Sequence, residues 1–223
     1  TPVVDVVPAT SAEMEAIDDA AHGRSVVDDG STDATASEAA DAGALVARHP
    51  ANRGKAAALE TGVARLVTEE QRTGSPEHVL LFADADLAES AANLEPLLVP
   101  VLLGSADLTV ANIPRSASSL GSGRVVRLAR AQIEAMTGRT IEQPLNGMRA
   151  LTRATFADAT PLASGWGVEA AMLVDVLRAG RRVVEVPVEL THRRTGNDIK
   201  GRVHRAMQLR DVSTALLGRR FLS

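Results

Sequence analysis

The stretch LLFADADLAES, Leu80–Ser90, indicates the type of sheet, because a continuous apolar run ends there in two carboxylates. Strands that are buried on both faces of a parallel sheet read as such apolar runs. Asp84 and Asp86 follow the run, and residues i and i+2 of an extended segment point to the same side. Two carboxylates on one side suit Mg²⁺ or Mn²⁺, which take oxygen ligands and bridge to substrate phosphates. The alternative interpretation of these residues is a solvated turn in which Asp86 or Ser90 caps the next helix.

The rest of the chain alternates short apolar runs with longer helical patterns. The predicted strands are Val3–Val7, Ser25–Val27, Ala44–Arg48, Val79–Ala83, Asp107–Ala111, Asn146–Thr152 and Arg182–Leu190. The predicted helices are Thr10–Ala21, Ala34–Ala42, Gly54–Glu69, Leu94–Leu103, Arg124–Thr137, Val168–Ala179 and Ile199–Leu217. Strands that alternate with helices imply βαβ units. We therefore predict an α/β fold whose Rossmann-like, mixed and mostly parallel sheet is flanked by helices.

The composition excludes several classes of function. The chain of 223 residues has a net charge of −4, whereas a general nucleic-acid binder is normally basic over its whole domain. It has no cysteine, which excludes disulfides, thiolate nucleophiles and zinc–thiolate sites. It has no apolar run of about 18 residues, and its opening TPVVDVVPAT lacks the pattern of a signal peptide. We expect a cytoplasmic protein with no transmembrane segment and no nucleic-acid partner.

The stretch VVDDGSTDAT, Val26–Thr35, places two further carboxylates at a strand end. Gly30 permits a turn there, and a following hydroxyl or carboxylate can cap the next helix. Capping does not require both Asp28 and Asp29, and such carboxylates can also accept hydrogen bonds from a base N–H or a ribose hydroxyl. Ligands of open α/β sheets lie beyond the carboxyl ends of the strands, so this stretch and the Asp84–Asp86 pair are expected to share one site.

A lysine opens the predicted third helix. Lys55, in HPANRGKAAALETG, lies in the first turn, where a cation opposes the helix dipole. A diphosphate held by the helix N-terminus and by Lys55 would reverse that cost. A surface lysine without a ligand is the alternative.

The three motifs VVDDGSTDAT, NRGKAAALETG and LLFADADLAE, in this order and spacing, resemble the nucleotide-sugar half of family 2 glycosyltransferases with the GT-A fold. The resemblance implies that Pro8, Ala9 and one of the paired aspartates, for which we favour Asp29, hold the base of the donor. It also implies that the Asp84–Asp86 pair binds the metal that bridges the donor's diphosphate. The segment from Pro8 to Asp28 is several residues shorter than in that family.

The second half has a resemblance of its own. GSGRVVRLARAQIE, QPLNGMRALTR and SGWGVEAAMLVDVLRAG resemble glucosyl-3-phosphoglycerate synthases, which are retaining enzymes of the same fold. The resemblance implies that the glycine-rich turn and arginine, here Gly123 and Arg124, hold an acceptor phosphate. It places Glu169 beside the donor sugar and makes His192 the remaining metal ligand. We assign Asn146, Gly147 and Trp166 to the acceptor side as well.

Elementary physical chemistry supports some of these functional roles and gives a non-functional explanation for others. Gly121 and Gly123 free a loop before Arg124, whose guanidinium can bind a phosphate bidentately. Glu169 opens a helix, where the dipole stabilises a carboxylate without any function. The glycines on either side of Trp166 indicate a shaped pocket, and a lone histidine such as His192 is usually not a ligand. Arg127 and Arg130 are interpreted as a solvated helix face.

The sequence as a whole predicts a glycosyltransferase that depends on Mg²⁺ or Mn²⁺ and takes its sugar from a nucleotide sugar, with a UDP-sugar favoured. Residues 1–112 are expected to form the donor half and residues 113–223 the acceptor half of one domain. Asp86, with Asp84 and His192, would hold the metal, and Glu169 would orient the sugar or act as general base. The acceptor is expected to be a small molecule or a lipid phosphate.

Two alternatives to this prediction remain open. One is a polyprenyl-phosphate glycosyltransferase whose basic last helix contacts the membrane surface. The other is a catalytically silent module that binds nucleotide alone. A homodimer is among the assemblies that the sequence leaves open.

Overall fold

The computed structural model describes residues 2–7, 25–84, 87–114, 123–189 and 199–220. The strands are β1 (Pro2–Val7), β2 (Ser25–Asp28), β3 (Leu45–Arg48), β4 (Val79–Asp84), β5 (Leu108–Asn112), β6 (Arg149–Leu151) and β7 (Val183–Pro187). The α-helices are α1 (Thr35–Asp41), α2 (Lys55–Thr73), α3 (Leu98–Leu102), α4 (Arg124–Thr137), α5 (Arg153–Asp158), α6 (Val168–Arg178) and α7 (Ile199–Arg220). Two 3₁₀ segments, Ala88–Leu97 and Gly165–Gly167, complete the described elements.

The strands form one mixed sheet in the order β3-β2-β1-β4-β6-β5-β7. β2 and β3 are parallel, as are β5 and β7, whereas β6 is antiparallel to both β4 and β5. β1 is antiparallel to β2 and to β4. Five of the seven strands therefore run in one direction, which confirms the predicted mixed, mostly parallel sheet.

The direction of β1 differs from the expectation. A βαβ unit would have made β1 parallel to its neighbours, but Pro2 pairs with Asp84 and Val7 pairs with Val79. The carboxyl end of β1 therefore lies beside the start of β4, at the edge of the sheet away from Asp84. The helix predicted at Thr10–Ala21, between β1 and β2, lies outside the described residues.

Alternate side chains of β4 divide the core into two layers, as the period of a strand requires. Leu80 and Phe82 belong to a cluster with apolar residues of α2, α4, α6 and α7. Val79, Leu81 and Ala83 belong to a second cluster with the segment Ala88–Leu97 and with α3. Helices thus cover both faces of β4, and β4 ends between these layers at Asp84.

Three local predictions needed correction. The helix predicted at Leu94–Leu103 is a 3₁₀ segment followed by the short α3, and Pro96 lies inside the 3₁₀ segment. Proline cannot donate the i→i−4 hydrogen bond, which accounts for the irregular start. The strand predicted at Asn146–Thr152 is confined to β6. Helix α5 was not predicted, although Thr152 is its N-cap and accepts a hydrogen bond from Thr155 N–H.

The last helix packs against the turn Gly165–Gly167. A Cβ on Gly167 would collide with the Ala215 side chain and lie 2.8 Å from the Asp211 carbonyl oxygen. A Cβ on Gly165, whose φ is +68°, would collide with the Asp211 carboxylate. The two glycines are therefore explained by the close approach of α7, and the interpretation that they shape a ligand pocket is not needed. No helix in the described part of the chain has the length and apolar character to cross a bilayer.

Candidate active site

The carboxyl edge of the sheet brings together most of the described residues that the sequence singled out. β2 ends at Asp28, β3 leads into His49, and β4 ends at Asp84. Because β6 runs in the opposite direction, the loop that precedes Arg149 reaches the same edge. The chain thus collects residues from separate motifs at one place, as an open α/β sheet does for its ligands.

Lys55 lies at the centre of this edge, at the first position of α2. Its ammonium nitrogen Nζ is 2.9 Å from Asp84 Oδ1 and 2.8 Å from Glu169 Oε1. The side chains of Lys55 and Asp84 are 27% and 35% exposed, and that of Glu169 is 11% exposed. The three groups form a half-buried ion triad that links the first-half motifs to α6.

The triad keeps Lys55 charged. Burial acts to lower the pKa of Lys55, but the Glu169 and Asp84 carboxylates outweigh it and raise the pKa above its ordinary value. The site therefore presents an ammonium group at neutral pH. Such a group can bind a phosphate as a point charge.

Gly147 closes one side of the triad. A Cβ on Gly147 would lie 2.5 Å from Lys55 Nζ and 3.1 Å from either carboxylate oxygen of Asp84. A side chain at this position would therefore displace the Lys55 ammonium group from its place between the two carboxylates. Its neighbour Asn146 donates to the Ala111 carbonyl oxygen at 2.7 Å and accepts from Met148 N–H at 3.0 Å. Asn146 thus fixes the loop that carries Gly147 to the end of β5.

Arg149 is a residue of this site that the sequence analysis missed. Its side chain is fully buried and donates to the carbonyl oxygens of Asn146, Pro144 and Glu169 at 2.9, 3.0 and 2.9 Å. Burial lowers the pKa of Arg149 to about 10, against the opposing effect of the Glu169 and Asp84 carboxylates. The guanidinium remains charged at neutral pH and ties the Pro144–Gly147 loop to the start of α6. The sequence feature that could have indicated this buried role is a charged arginine within the apolar strand segment MRAL.

Asp29 is engaged on both carboxylate oxygens. Oδ1 accepts from His49 Nδ1 at 2.6 Å and from Arg53 N–H at 2.8 Å, and Oδ2 accepts from Gly54 N–H at 2.8 Å. Burial raises the pKa of Asp29, but these hydrogen bonds outweigh it and leave the pKa below its ordinary value. Asp29 is therefore ionised at neutral pH and binds the loop that leads into α2.

Asp28 is arranged differently. Its side chain is fully buried, and Oδ1 accepts from Ser31 N–H at 2.8 Å. Oδ2 is 3.2 Å from Arg48 Nε but takes part in no hydrogen bond within the described chain. The Arg48 guanidinium supplies the neighbouring positive charge for this buried oxygen.

Of the predicted acceptor residues, Asn146 and Gly147 lie beside the Lys55–Asp84 pair, and the other three lie on two elements. Gly123 is the N-cap of α4, and Arg124 is exposed at its first position. Arg124 makes no ion pair with any residue in the described ranges. Trp166 is 42% exposed, and its backbone N–H donates to Asp211 Oδ2 at 3.3 Å. Arg130, interpreted from the sequence as solvated, instead forms an ion pair with Glu142 at 3.1 Å.

The predicted metal ligands are only partly covered by the structure. Pro8, Ala9, Asp86 and His192 lie outside the described residues. Among the residues that are described, no group of three or more acidic or histidine side chains could hold a metal ion. Asp84 fits a hard cation, because its carboxylate is partly exposed and Oδ2 accepts no hydrogen bond from the described chain.

Comparison with known proteins places this site in a family. The family model described as "Glycosyl transferase family 2" matches residues 25–179. Glycosyltransferase AglJ from Haloferax volcanii is 31% identical over 181 residues, which cover 78% of this chain and 55% of that protein. Glucosyl-3-phosphoglycerate synthase from Mycolicibacterium paratuberculosis is 33% identical over 171 residues, which cover 67% of this chain and 49% of that protein. The chain spans about half the length of these curated relatives.

Solved structures agree with this assignment. The glucosyl-3-phosphoglycerate synthase of Mycobacterium tuberculosis with Mn²⁺, UDP and phosphoglyceric acid matches with a TM-score of 0.68 and 26% identity, over 95% of this chain and 71% of that one. The same enzyme with Mn²⁺, UDP-glucose and phosphoglyceric acid matches with a TM-score of 0.63 and 26% identity, over 87% and 67%. The predicted GT-A fold is confirmed. The chain belongs to glycosyl transferase family 2.

Proposed function

We propose that the protein transfers a sugar from a nucleoside-diphosphate sugar, with UDP-glucose favoured, to an acceptor that bears a phosphate, and that it requires Mg²⁺ or Mn²⁺. The observation that carries the proposal is the Lys55–Asp84–Glu169 triad at the carboxyl edge of the sheet. It joins a phosphate-binding cation, a metal-binding carboxylate and a carboxylate suited to sugar hydroxyls. Solved relatives hold Mn²⁺ with UDP-glucose, or Mg²⁺ with UDP.

The donor diphosphate would lie against Lys55 and the N-terminus of α2. The free N–H groups and the dipole of a helix N-terminus favour an anion there, and Lys55 adds a full charge. The base would lie at the end of β2, beside the turn that carries Asp28 and Asp29. Pro8 and Ala9 remain predicted contacts to the base.

The metal would be held by Asp84 together with Asp86 and His192, as the sequence predicts. A bound Mg²⁺ or Mn²⁺ supplies Lewis-acid stabilisation of the charge that develops on the departing diphosphate. Lys55 acts on the same charge from the protein side. Because it is already held by two carboxylates, its ammonium needs little reorganisation when the sugar–phosphate bond breaks.

Glu169 would face the donor sugar from the first turn of α6. Lys55 holds its carboxylate, and Arg149 holds its backbone carbonyl, so the side chain is fixed in position. A carboxylate fixed in this way can orient sugar hydroxyls by accepting their hydrogen bonds. It would act as general base only for a neutral hydroxyl acceptor, since an attacking phosphate is already anionic.

The acceptor phosphate would bind at the N-terminus of α4. Arg124 is exposed there and has no ion-pair partner among the described residues, so its guanidinium is available for bidentate binding. Complexes of the related synthase contain phosphoglyceric acid or glycerol 3-phosphate. Both molecules carry the phosphate group that Arg124 would bind.

Calorimetry and a transfer assay test the proposal. The native chain should bind UDP in the presence of Mn²⁺ and should transfer glucose from UDP-glucose to 3-phosphoglycerate or to a related phosphorylated acceptor. Asp84→Asn should weaken Mn²⁺-dependent binding by roughly 10-fold or more, because a metal-binding charge is lost. Asp158→Asn is the matched control, since Asp158 pairs with Arg181 away from the site. A native chain that binds no nucleotide sugar would contradict the proposal.

A second candidate is transfer to a lipid phosphate at a membrane surface. Helix α7 exposes Met207 and Leu217, and their spacing places them on one face with Arg210. An exposed apolar and basic face suits an anionic bilayer. Co-sedimentation with anionic liposomes that is lost in Met207→Ser/Leu217→Ser would favour this acceptor class, and no sedimentation of the native chain would reject it.

A further inference from the structure

We propose that Gln143 is a positioning residue for the acceptor, because it fixes the point at which the chain leaves β5 towards Arg124. This role rests on the proposed function, which places the acceptor phosphate at the N-terminus of α4. It belongs to a buried side chain that takes no part in the Lys55–Asp84–Glu169 triad.

The side-chain amide of Gln143 is tied to the end of β5. Gln143 is 9% exposed, and its Nε2 donates to Asn112 Oδ1 at 2.8 Å and to the Ile113 carbonyl oxygen at 2.6 Å. A carbonyl oxygen can only accept, so the amide must present its NH₂ group to Ile113. Each N–H of that group has one acceptor. Gln143 therefore fixes the chain at the point where the connection to α4 begins.

The preceding residue, Glu142, holds the other end of that connection. Arg130 of α4 donates from Nε to the Glu142 carbonyl oxygen at 2.6 Å, and its guanidinium pairs with the Glu142 carboxylate at 3.1 Å. Arg130 lies less than two turns after Arg124 on the same helix. Two consecutive residues, Glu142 and Gln143, therefore hold both ends of the connection from β5 to α4, which is described up to residue 114 and from residue 123.

Strand β7 makes these two residues a fixed support. Glu185 accepts the Glu142 N–H on Oε2 and the Gln143 N–H on Oε1, both at 2.8 Å. Glu185 belongs to β7, which pairs in parallel with β5. Hydrogen bonds to an ionised carboxylate are stronger than those between neutral groups. The Glu142–Gln143 peptide is thus anchored to the sheet beside the strand whose end it holds.

Other contacts hold the donor side of the same loop. Arg149 donates to the Asn146 carbonyl oxygen at 2.9 Å, and Asn146 Nδ2 donates to the Ala111 carbonyl oxygen at 2.7 Å. The Gln143 side chain reaches this group only at 3.5 Å, from Oε1 to Asn146 Nδ2. Gly147 is therefore held in place largely without Gln143, and loss of the Gln143 amide should disturb the acceptor side of the site more than the donor side.

Two titrations by calorimetry separate the acceptor from the donor. UDP with Mn²⁺ is titrated into the protein, and 3-phosphoglycerate is then titrated into the complex with UDP and Mn²⁺. Gln143→Met keeps the length of the side chain but leaves the buried Ile113 carbonyl oxygen without this donor. We expect the affinity for 3-phosphoglycerate to fall by about 10-fold and that for UDP to stay within about twofold.

A second substitution shows whether Gln143 acts through the acceptor site. Arg124→Ala should weaken the binding of 3-phosphoglycerate by about 10-fold or more, because a charge-assisted pair is lost. In that background Gln143→Met should have a further effect of less than about threefold, since the effects of residues that act through one another do not add. Equal effects of Gln143→Met in both backgrounds would overturn the inference.

Thr109→Val is the matched structural control. Thr109 also lies on β5, is fully buried, and donates from Oγ1 to the Leu97 carbonyl oxygen at 2.7 Å. Valine removes a buried hydrogen bond of the same kind, but one that does not hold the connection to α4. Thr109→Val should lower the free energy of unfolding and change both affinities by less than about twofold. A loss of 3-phosphoglycerate affinity as large as in Gln143→Met would overturn the inference, because any defect in β5 would then suffice.

Equal weakening of UDP and 3-phosphoglycerate in Gln143→Met, or no weakening of either, would overturn the inference and leave the proposed function standing. A native chain that binds UDP but no 3-phosphoglycerate would overturn the inference together with the proposed acceptor. If Gln143→Met does not fold, Arg130→Met tests the α4 end of the connection. It should weaken 3-phosphoglycerate by about threefold and leave UDP unchanged, and an unchanged affinity for 3-phosphoglycerate would count against the inference.

Discussion

The Lys55 ammonium lies against the backbone of Gly147, so closely that a Cβ on Gly147 would be 2.5 Å from Nζ. The two residues come from α2 and from the loop before β6, which belong to different halves of the chain. Their contact, together with the ion pairs of Lys55 to Asp84 and Glu169, makes the triad a junction between those halves. Changes at either residue should therefore affect donor binding directly.

Gly147→Ala should displace Lys55 while leaving the fold intact. The added methyl group would occupy the space of the ammonium and approach the Asp84 carboxylate, so the triad must open. We expect UDP affinity with Mn²⁺ to fall by about 10-fold, measured by calorimetry, with destabilisation in the range of roughly 1–3 kcal/mol. Gly218→Ala is the control, because a Cβ there meets nothing within 4 Å. Unchanged affinity in Gly147→Ala would contradict the packing described.

Lys55→Met should lower both stability and transfer. It leaves the Asp84 and Glu169 carboxylates close together without their shared cation, which we expect to cost roughly 2 kcal/mol for this half-buried group. Transfer from UDP-glucose should fall by about 100-fold through the loss of charge stabilisation.

Urea unfolding and the transfer assay check both effects of Lys55→Met. Arg181→Met, which breaks an ion pair with Asp158 elsewhere, should cost less than about 1 kcal/mol. The double variant Lys55→Met/Asp84→Asn should regain part of the stability, because one unpaired charge is removed. The prediction fails if the single and double variants unfold alike.

The same lysine predicts a dependence of stability on pH. Burial lowers the pKa of Lys55, but the Glu169 and Asp84 carboxylates more than compensate, so folding raises the pKa above its ordinary value of 10.5. Its stabilisation is therefore complete below pH 10.5 and is lost as the pH rises from there through the pKa in the folded protein. The difference in unfolding free energy between the native chain and Lys55→Met should stay constant from about pH 8 to pH 10 and shrink above that range. If the difference in unfolding free energy instead grew above pH 10.5, folding would lower the pKa of Lys55, and the prediction would be wrong.

Gly167→Ala should weaken the attachment of α7. The new methyl group would collide with Ala215 and approach the Asp211 carbonyl oxygen, so the helix must move away from the Gly165–Gly167 turn. We expect a loss of about 1–3 kcal/mol in urea unfolding. Gly218→Ala on the same helix should be neutral or slightly stabilising, because alanine is the better helix former. Equal stability of the two variants would show that α7 does not pack as described.

Much of the fold could be predicted from local patterns. The apolar run before Asp84 was correctly predicted as a strand, and the helix Arg124–Thr137 was predicted with the observed bounds. Such elements show a regular spacing of apolar residues and have recognisable residues at their starts and ends. The direction of β1 could not be predicted in the same way, because it depends on pairing with β2 and β4, which are distant in sequence.

The candidate site, like the fold, could be predicted only in part from local sequence patterns. Lys55 was singled out because a cation is unfavourable at a helix start, and Asp84 because it ends an apolar strand beside Asp86. Glu169 was singled out only through the family resemblance, and the structure places the three together. Arg149 was missed, because an arginine in an apolar strand does not by itself reveal its partners. They are the nearby Asn146 and Pro144 carbonyls and the carbonyl of Glu169, which is distant in sequence. The contacts of Asp28 and Asp29 could not be distinguished for a similar reason. Asp29 binds the loop from His49 to Gly54, which is distant in sequence.

The most direct test is a crystal of the native chain soaked with UDP and Mn²⁺, with data collected at the manganese absorption edge. We predict an anomalous peak within coordination distance of the Asp84 carboxylate, with the UDP diphosphate in contact with Lys55. A nucleotide bound elsewhere, or a manganese peak away from Asp84, would contradict it.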